Sequence, residues 1–240
     1  MTFHLPANVI VPVRDVRVVL DPAQHPFEAT NGERINANWQ RETENNPALF
    51  DGRVALLSSL AIDDRVLVGR CHMVRYASFL LWRRLRPVGG AGHAYTHPVL
   101  VGSDNTLVAI RMGPRTVNAG AVYFAAGSFE ETDFRDGLAD PERNMAREVM
   151  EETGLDISDL PHEPGYHLLS QDTGTVLFRR YFLPETGDAT AARIRAHVAA
   201  QPEPEIVGPV IIRNADDTPD RLAAQMPALI DWHFSQPGGK

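Results

Sequence analysis

The chain of 240 residues has very little cysteine, no excess of basic residues and no long apolar run. Its single cysteine, Cys71, excludes an internal disulfide and a cysteine-based metal cluster. The formal net charge of −8 argues against a broad basic surface that would bind nucleic acid or an anionic membrane. No stretch reaches the roughly 20 apolar residues that a membrane span requires. A small anionic substrate held through a metal ion remains compatible with this composition.

The amino end does not have the pattern of a secretory signal peptide. It lacks a basic leader, and Asp15 and Asp21 interrupt its apolar stretch. We therefore expect a cytoplasmic protein whose partner is a small molecule, not a nucleic acid or a membrane. The sequence leaves a homodimer open.

Segments typical of strands and of helices are mixed along the whole chain, which predicts an α/β fold. Asp217–Phe234 has a helical pattern, and Pro227 inside it predicts a kink or a break. The glycine-rich stretch Arg86–Ala94 is the best candidate for a linker.

The segment from Asp140 to Gly154 carries clear signals for the ends of a helix. Asp140 is a favourable N-cap, Pro141 suits the first helical position, and Gly154 suits the left-handed residue that closes a helix. The sequence therefore predicts a helix from about Pro141 to Thr153.

Three carboxylates share one face of this helix. At 100° per residue, Glu152 lies about 40° from Glu148 on one side, and Glu151 lies about 60° from it on the other. Val149 and Met150 belong to the opposite, core-facing stripe, together with Ala146 and Thr153. Like charges at this spacing destabilise a helix. The glutamates either form a solvated acidic surface or surround a divalent cation such as Mg²⁺ or Mn²⁺, which prefers oxygen ligands.

The stretch "REVMEETGL" resembles the carboxyl half of the Nudix box, whose family pattern is G-x5-E-x7-R-E-U-x-E-E-x-G-U, with U a bulky apolar residue. The matching positions are Arg147, Glu148, Val149, Glu151, Glu152, Gly154 and Leu155. The amino half departs from the pattern. If Gly127 is the leading glycine, Asp133 stands at the position of the family's glutamate, and thirteen residues instead of seven separate it from Arg147. We interpret the excess as an insertion near "FRDGLAD", in a loop before the helix.

The resemblance implies a Nudix α/β/α sandwich around a mixed sheet, spanning residues 93–240, with residues 1–92 as a β-rich extension. It implies a hydrolase that cleaves the diphosphate linkage of a nucleoside diphosphate derivative with Mg²⁺ or Mn²⁺. By position, Glu148, Glu151 and Glu152 resemble the metal ligands. Glu151 or Glu152, or a carboxylate from a later loop, would orient the attacking water. Arg147 resembles the arginine that supports the glutamates.

Further candidates follow from the same resemblance. Arg111 and Arg115 flank a strand expected beside the substrate, and either could hold phosphate. The candidates for an additional catalytic carboxylate are Glu203, Glu205 and Glu130. For each of these side chains, a role on the solvated surface is the alternative.

The stretch Trp39–Ser58 is similar to the segment that precedes the box in Nudix enzymes acting on UDP-glucose and related UDP-sugars. The alternative is a structural helix–turn–strand in which Trp39 and Phe50 are core residues.

Two other functions stay open within the same fold. One is a non-catalytic regulator that senses a nucleotide or sugar, although such proteins usually lose glutamates of the box. The other is an isomerase of the isopentenyl-diphosphate type. It would need a catalytic cysteine, and Cys71 lies outside the predicted Nudix range.

Overall fold

The computed structural model describes residues 3–86 and 91–236. The predicted linker Arg86–Ala94 falls partly outside these described residues. The strands, in chain order, are β1 Phe3–His4, β2 Ile10–Val13, β3 Asp15–Leu20, β4 Arg53–Asp63, β5 Val66–Arg75, β6 Ala94–Val101, β7 Leu107–Met112, β8 Val122–Tyr123, β9 Phe134–Arg135, β10 Leu138–Ala139, β11 Tyr166–Gln171, β12 Gly174–Phe182 and β13 Ile206–Ile212. The helices are α1 Pro26–Thr30, α2 Gly32–Asn45, α3 Tyr76–Leu85, α4 Pro141–Thr153, α5 Gly187–Ala200 and α6 Met226–Ser235.

Within the described residues, the strands form two sheets, one of six strands and one of seven. The six-stranded sheet has the order β1-β4-β5-β3-β10-β9 and is mixed, since β1–β4 and β3–β5 are parallel and its other pairs are antiparallel. The prediction of an α/β fold with a mixed sheet is confirmed. No helix among the described residues is long and apolar enough to cross a membrane.

The chain divides into two compact units that are discontinuous in sequence. The first comprises Met1–Thr96, Gly127–Asn144 and Gly165–Leu177. The second comprises His97–Ala126, Met145–Pro164 and Phe178–Lys240. These units follow spatial contacts, and the boundary predicted between residues 92 and 93 stays a prediction.

The first unit contains the six-stranded sheet, helices α1 to α3 and the pair β11–β2. Its hairpin β4–β5 turns in two residues, Asp64 and Arg65, whose φ values of 44° and 61° are those of a type I′ turn. One apolar cluster includes Leu57, Leu67 and Leu168.

Aromatic residues on α2 and on the loop after it differ in burial. Trp39 packs against the clusters around Phe79 and Leu81. Phe50 is 83% exposed, so the expectation of a core position is wrong for Phe50. Its ring lies against Gly52, which has no side chain to hold it away.

The segment interpreted as an insertion forms secondary structure of its own. After a 3₁₀ turn at Glu131–Asp133, β9 and β10 make a hairpin across Asp136 and Gly137, both with positive φ. Leu138 of β10 pairs with Val19 of β3. The inserted residues thus extend the six-stranded sheet, because an Asp-Gly pair favours a tight type I′ hairpin.

The second unit contains the pairs β13–β7 and β8–β7, both antiparallel, and helices α5 and α6. Its buried residues include Val108, Ile110, Phe124, Ile194 and Leu229.

One helix prediction in the second unit needs correction. The helix expected over Asp217–Phe234 begins only at Met226, where Pro227 occupies its first turn. Proline lacks a backbone N–H, which the first turn of a helix does not need, so Pro227 starts the helix instead of kinking it.

Candidate active site

Helix α4 has the ends that the sequence predicts. The Asp140 carboxylate accepts a hydrogen bond from Arg143 N at 3.1 Å, as an N-cap does. At the other end Gly154 has φ +70°, and its N–H donates to Met150 O at 2.9 Å. At this end Gln201, the residue that follows α5, donates to Glu151 O at 3.3 Å. These contacts fix the turns that carry the glutamates.

The burial of the glutamates differs from that of an ordinary acidic helix face. Glu148 is 8% exposed and Glu152 is 4% exposed, whereas the Glu151 side chain is 58% exposed. Val149 and Thr153 are buried as expected. Met150 is 44% exposed, so its predicted place in the core-facing stripe is wrong. In the second unit the helix therefore buries Glu148 and Glu152 in addition to its apolar residues.

Arg147 ties two of the glutamates together. Its guanidinium lies 2.7 Å from Glu148 Oε1 and 3.0 Å from Glu151 Oε2. The Arg147 and Glu148 side chains are 19% and 10% exposed, so this ion pair lies largely out of water and is less screened than a surface pair, whereas Glu151 is more than half exposed. An arginine can donate to two carboxylates at once because its planar head has five N–H groups. The supporting role expected for Arg147 stays a prediction.

Glu152 is held by the loop after β8. Strand β8 ends at Tyr123, and the chain after it brings Ala126 N to Glu152. Ala126 N donates to Glu152 Oε2 at 3.0 Å. One hydrogen bond from a neutral amide compensates only part of the cost of burying a carboxylate.

Burial and nearby charge act on Glu152 in the same direction. Loss of hydration raises the pKa of the Glu152 carboxyl well above its usual range, and the charge of Glu148 raises it further. The bond from Ala126 lowers this pKa, while Glu205 and Glu151 raise it. Glu205 therefore lies within electrostatic range of the glutamate face, which sequence spacing alone could not place.

The other predicted site residues have partners of their own. Arg111 donates to Asp220 Oδ1 at 2.6 Å and to Gly120 O at 3.1 Å. Arg115 lies 3.1 Å from Glu203, and both side chains are more than half exposed. A phosphate at either arginine would have to compete with these contacts, and the substrate-binding assignments stay predictions.

Glu130 and Asp133 belong to the first unit and cap the 3₁₀ turn reciprocally. Asp133 is fully buried and accepts from Glu130 N at 2.9 Å and from Asn144 Nδ2 at 2.8 Å. Thr96 in turn donates to Asn144 Oδ1 at 2.6 Å. These contacts account for Asp133 as a structural residue that organises the start of α4.

Glu148, Glu151 and Glu152 offer the carboxylate oxygens that a hard divalent cation prefers, but their side chains do not converge on a common position. Three carboxylates of one helix, with the pKa of Glu152 raised by burial and then by its charged neighbours, would be stabilised by added positive charge. Yet within residues 3–86 and 91–236, no three His, Cys, Asp or Glu side chains are grouped closely enough to hold a metal ion. Glu148 and Glu152 are instead turned toward Arg147 and Ala126.

Comparisons with known proteins give only distant likenesses. No protein-family model matches the chain, and no curated protein sequence matches it. The MutT protein from Methanosarcina mazei Go1 has a TM-score of 0.40 and 13% identity, and the match covers 59% of this chain and 91% of that one. A NUDIX hydrolase from Nitrosomonas europaea has a TM-score of 0.32 and 14% identity, with 61% and 82% covered. The NUDIX domain of Shewanella oneidensis NrtR, complexed with ADP ribose, has a TM-score of 0.38 and 14% identity, with 58% and 84% covered. Likenesses at this level carry no conclusion about activity.

Proposed function

We propose that this chain is a metal-dependent hydrolase that cleaves the diphosphate linkage of a nucleoside diphosphate derivative, with residues 93–240 as its Nudix-type domain. The observation that carries the proposal is the burial of Glu148 and Glu152 on one face of α4, in the register of the Nudix box. Together these features distinguish the helix from a solvated acidic surface.

The energetic cost of this arrangement supports a functional role. Two neighbouring buried carboxylates lose hydration and repel each other, and carboxylates that serve only solubility stay in water. A strongly shifted pKa produced by burial and a specific charged neighbour is a property that functional sites share. The chain keeps a buried carboxylate at Glu152, with its lost hydration and charge repulsion, although the amide of glutamine would make a similar contact with Ala126 N.

We assign Glu148, Glu151 and Glu152 as the residues that would hold Mg²⁺ or Mn²⁺. When bound, such an ion neutralises phosphate charge and acidifies bound water. Arg147 keeps Glu148 and Glu151 side by side through its two ion pairs, and Ala126 N keeps Glu152 oriented.

For the extra carboxylate that orients the attacking water we favour Glu205. Its charge already acts on Glu152, whereas Glu203 is paired with Arg115. Glu130 is engaged in the cap of the 3₁₀ turn in the first unit.

The substrate class that we propose is a nucleotide sugar such as UDP-glucose, on the resemblance of Trp39–Ser58 to UDP-sugar enzymes. The products would be a nucleoside monophosphate and a sugar phosphate, each carrying one phosphate group of the cleaved linkage.

The test is a substrate panel with Mg²⁺ present. The protein is incubated with UDP-glucose, ADP-ribose, NADH and coenzyme A, and phosphate is measured after phosphatase treatment. Turnover of at least one compound is expected from the wild type and from Glu142→Gln, an exposed glutamate on the same helix. Turnover by Glu152→Gln should be lower by about two orders of magnitude or more. Absence of turnover of all four compounds would reject the hydrolase proposal for these substrate classes.

One observation favours a second function, a non-catalytic sensor of a nucleotide or sugar. The buried glutamates are engaged by Arg147 and Ala126, so the helix keeps them in place without a metal ion, as a sensor that does not hydrolyse its ligand would. A sensor would bind one of the panel compounds in calorimetry without producing phosphate, and its affinity would not depend on Mg²⁺.

A further inference from the structure

Two arginines meet at one oxygen atom where helices α2 and α3 pack together in the first unit. Asn38 of α2 is 1% exposed, and its Oδ1 accepts from Arg41 at 2.7 Å and from Arg84 of α3 at 3.0 Å. The two donor nitrogens therefore lie at most 2.7 + 3.0 = 5.7 Å apart. Both arginine residues are exposed, so solvent reaches the pair of positive charges.

In the described part of the chain, no acidic side chain neutralises this pair. Among the residues that the structure describes, neither Arg41 nor Arg84 makes an ion pair. Arg75, at the start of α3, shows the usual solution, with Asp51 Oδ2 accepting from it at 2.6 and 2.9 Å. A neutral amide oxygen orients Arg41 and Arg84 without cancelling their charge. The position of Arg84 in the last turn of α3 suits the helix dipole, but this does not explain why Arg41 is drawn to the same atom.

Asn38 is itself a costly residue at this position. Its Nδ2 is buried and has no hydrogen-bond partner among the described residues. An unsatisfied buried amide destabilises the fold. Because guanidinium groups can only donate, the side-chain oxygen must face the arginines, and this leaves Nδ2 without an acceptor. Asparagine at position 38 therefore holds the two arginines together, although its own Nδ2 is left without a hydrogen bond.

We propose that Arg41 and Arg84 form a binding site for a dianionic oxyanion, of which a phosphate group is the simplest example. Two guanidinium groups offer two positive charges and parallel N–H donors, which match the charge and the several acceptor oxygens of a phosphate. A carboxylate would cancel only one of the charges. Asn38 acts as a positioning residue that holds both heads in place. The site does not depend on the proposed hydrolase function.

The test is thermal unfolding of the full chain at pH 7.5 in EDTA. Phosphate, acetate and chloride are compared as sodium salts at equal ionic strength. A saturable rise in melting temperature is expected with phosphate and a much smaller one with acetate. Arg84→Gln should weaken the apparent phosphate affinity by about tenfold or more, because one of the two charge-assisted partners is lost. Asn38→Asp should abolish the response, since its carboxylate would occupy both arginines.

Arg34→Gln is the matched control. Arg34 lies on α2, is exposed and bonds a single asparagine oxygen, Asn31 Oδ1, at 3.0 Å. Its substitution should leave the response unchanged. If Arg84→Gln does not fold, Arg41→Gln tests the same prediction, with phosphorus NMR line broadening of inorganic phosphate as the readout. A phosphate effect no greater than that of chloride, or an equal effect in Arg84→Gln or Arg41→Gln, would overturn the proposal.

Discussion

Replacing Glu152 by glutamine should stabilise the metal-free protein while it strongly lowers turnover. Glutamine preserves the size of the side chain and an oxygen that can accept from Ala126 N, but it removes a buried negative charge beside Glu148. A residue needed only for packing would give the opposite result on stability.

The pH dependence follows from the direction in which folding moves the pKa of Glu152. Burial and then the charge of Glu148 raise this pKa, so in the intermediate pH range the folded protein holds a proton that the unfolded chain has lost. The free energy of unfolding therefore falls as pH rises from the unfolded pKa, about 4.3, to the raised folded pKa. Glutamine does not titrate, so the free energy of unfolding of Glu152→Gln does not fall with pH for this reason. The difference in stability should be small near pH 4 and largest above the folded pKa.

The size of the effect scales with how much more tightly the folded protein holds the Glu152 proton than the unfolded chain does. Each tenfold gain in proton affinity corresponds to about 1.4 kcal/mol. For a chain of this length, about 1 kcal/mol moves the melting temperature by roughly 2–4 °C. We therefore expect Glu152→Gln to melt about 3–6 °C higher than the wild type for each such tenfold gain, in EDTA at pH 7.5.

The assay is scanning calorimetry in EDTA at pH 4.5, 6 and 7.5, with Glu142→Gln as control. The control removes an exposed carboxylate of the same helix and should change stability by less than about 0.5 kcal/mol. A melting temperature of Glu152→Gln at or below the wild-type value at pH 7.5 would refute the assignment of an uncompensated buried charge. Its turnover, measured on the folded variant, should fall by about two orders of magnitude or more.

Three further predictions concern the same elements. Mg²⁺ at a hundredfold excess over its dissociation constant should stabilise the wild type by about 2.7 kcal/mol at pH 7.5 and far less near pH 5; melting curves decide, and a response equal to that of NaCl at the same ionic strength would count against a preformed site. Gly154→Ala should lower the free energy of unfolding in urea by at least about 1 kcal/mol, because φ is +70° and the new Cβ would meet the His197 ring. Adding His197→Ala should recover part of this loss. An unchanged urea midpoint in Gly154→Ala would contradict the reasoning. Asp133→Ala should lower the free energy of unfolding by about 1–3 kcal/mol, since Glu130 N and Asn144 lose their acceptor. Glu131 in the same turn is exposed, so Glu131→Ala should be nearly neutral. Equal losses in both variants would show that Asp133 has no special role.

Signals that act over a few residues could be read from the sequence. Asp140, Pro141 and Gly154 define α4 through its own backbone groups, so both ends were predictable. The effect of Pro227 was not, because a proline can end one element or begin another, and the choice depends on whether the residues before it find helical partners. The Asp136-Gly137 hairpin was missed because an excess over family spacing was equated with a loop.

Properties that depend on packing between residues far apart in the chain could not be predicted from the sequence. Helical periodicity placed the three glutamates on one face but could not tell that this face is buried as well as the apolar one. Arg111 and Asp220 are 109 residues apart, and Arg115 and Glu203 are 88 apart, so neither pair has a local signal. The influence of Glu205 on Glu152 likewise depends on how β13 is placed in the second unit.

The central claim is that the glutamate face of α4 holds a divalent cation. Its most direct test is a titration of the full chain with Mn²⁺, in which free Mn²⁺ is followed by electron paramagnetic resonance. The account predicts saturable binding by the wild type and by Glu142→Gln, and loss of that binding in Glu152→Gln. Equal Mn²⁺ binding by all three proteins would contradict it.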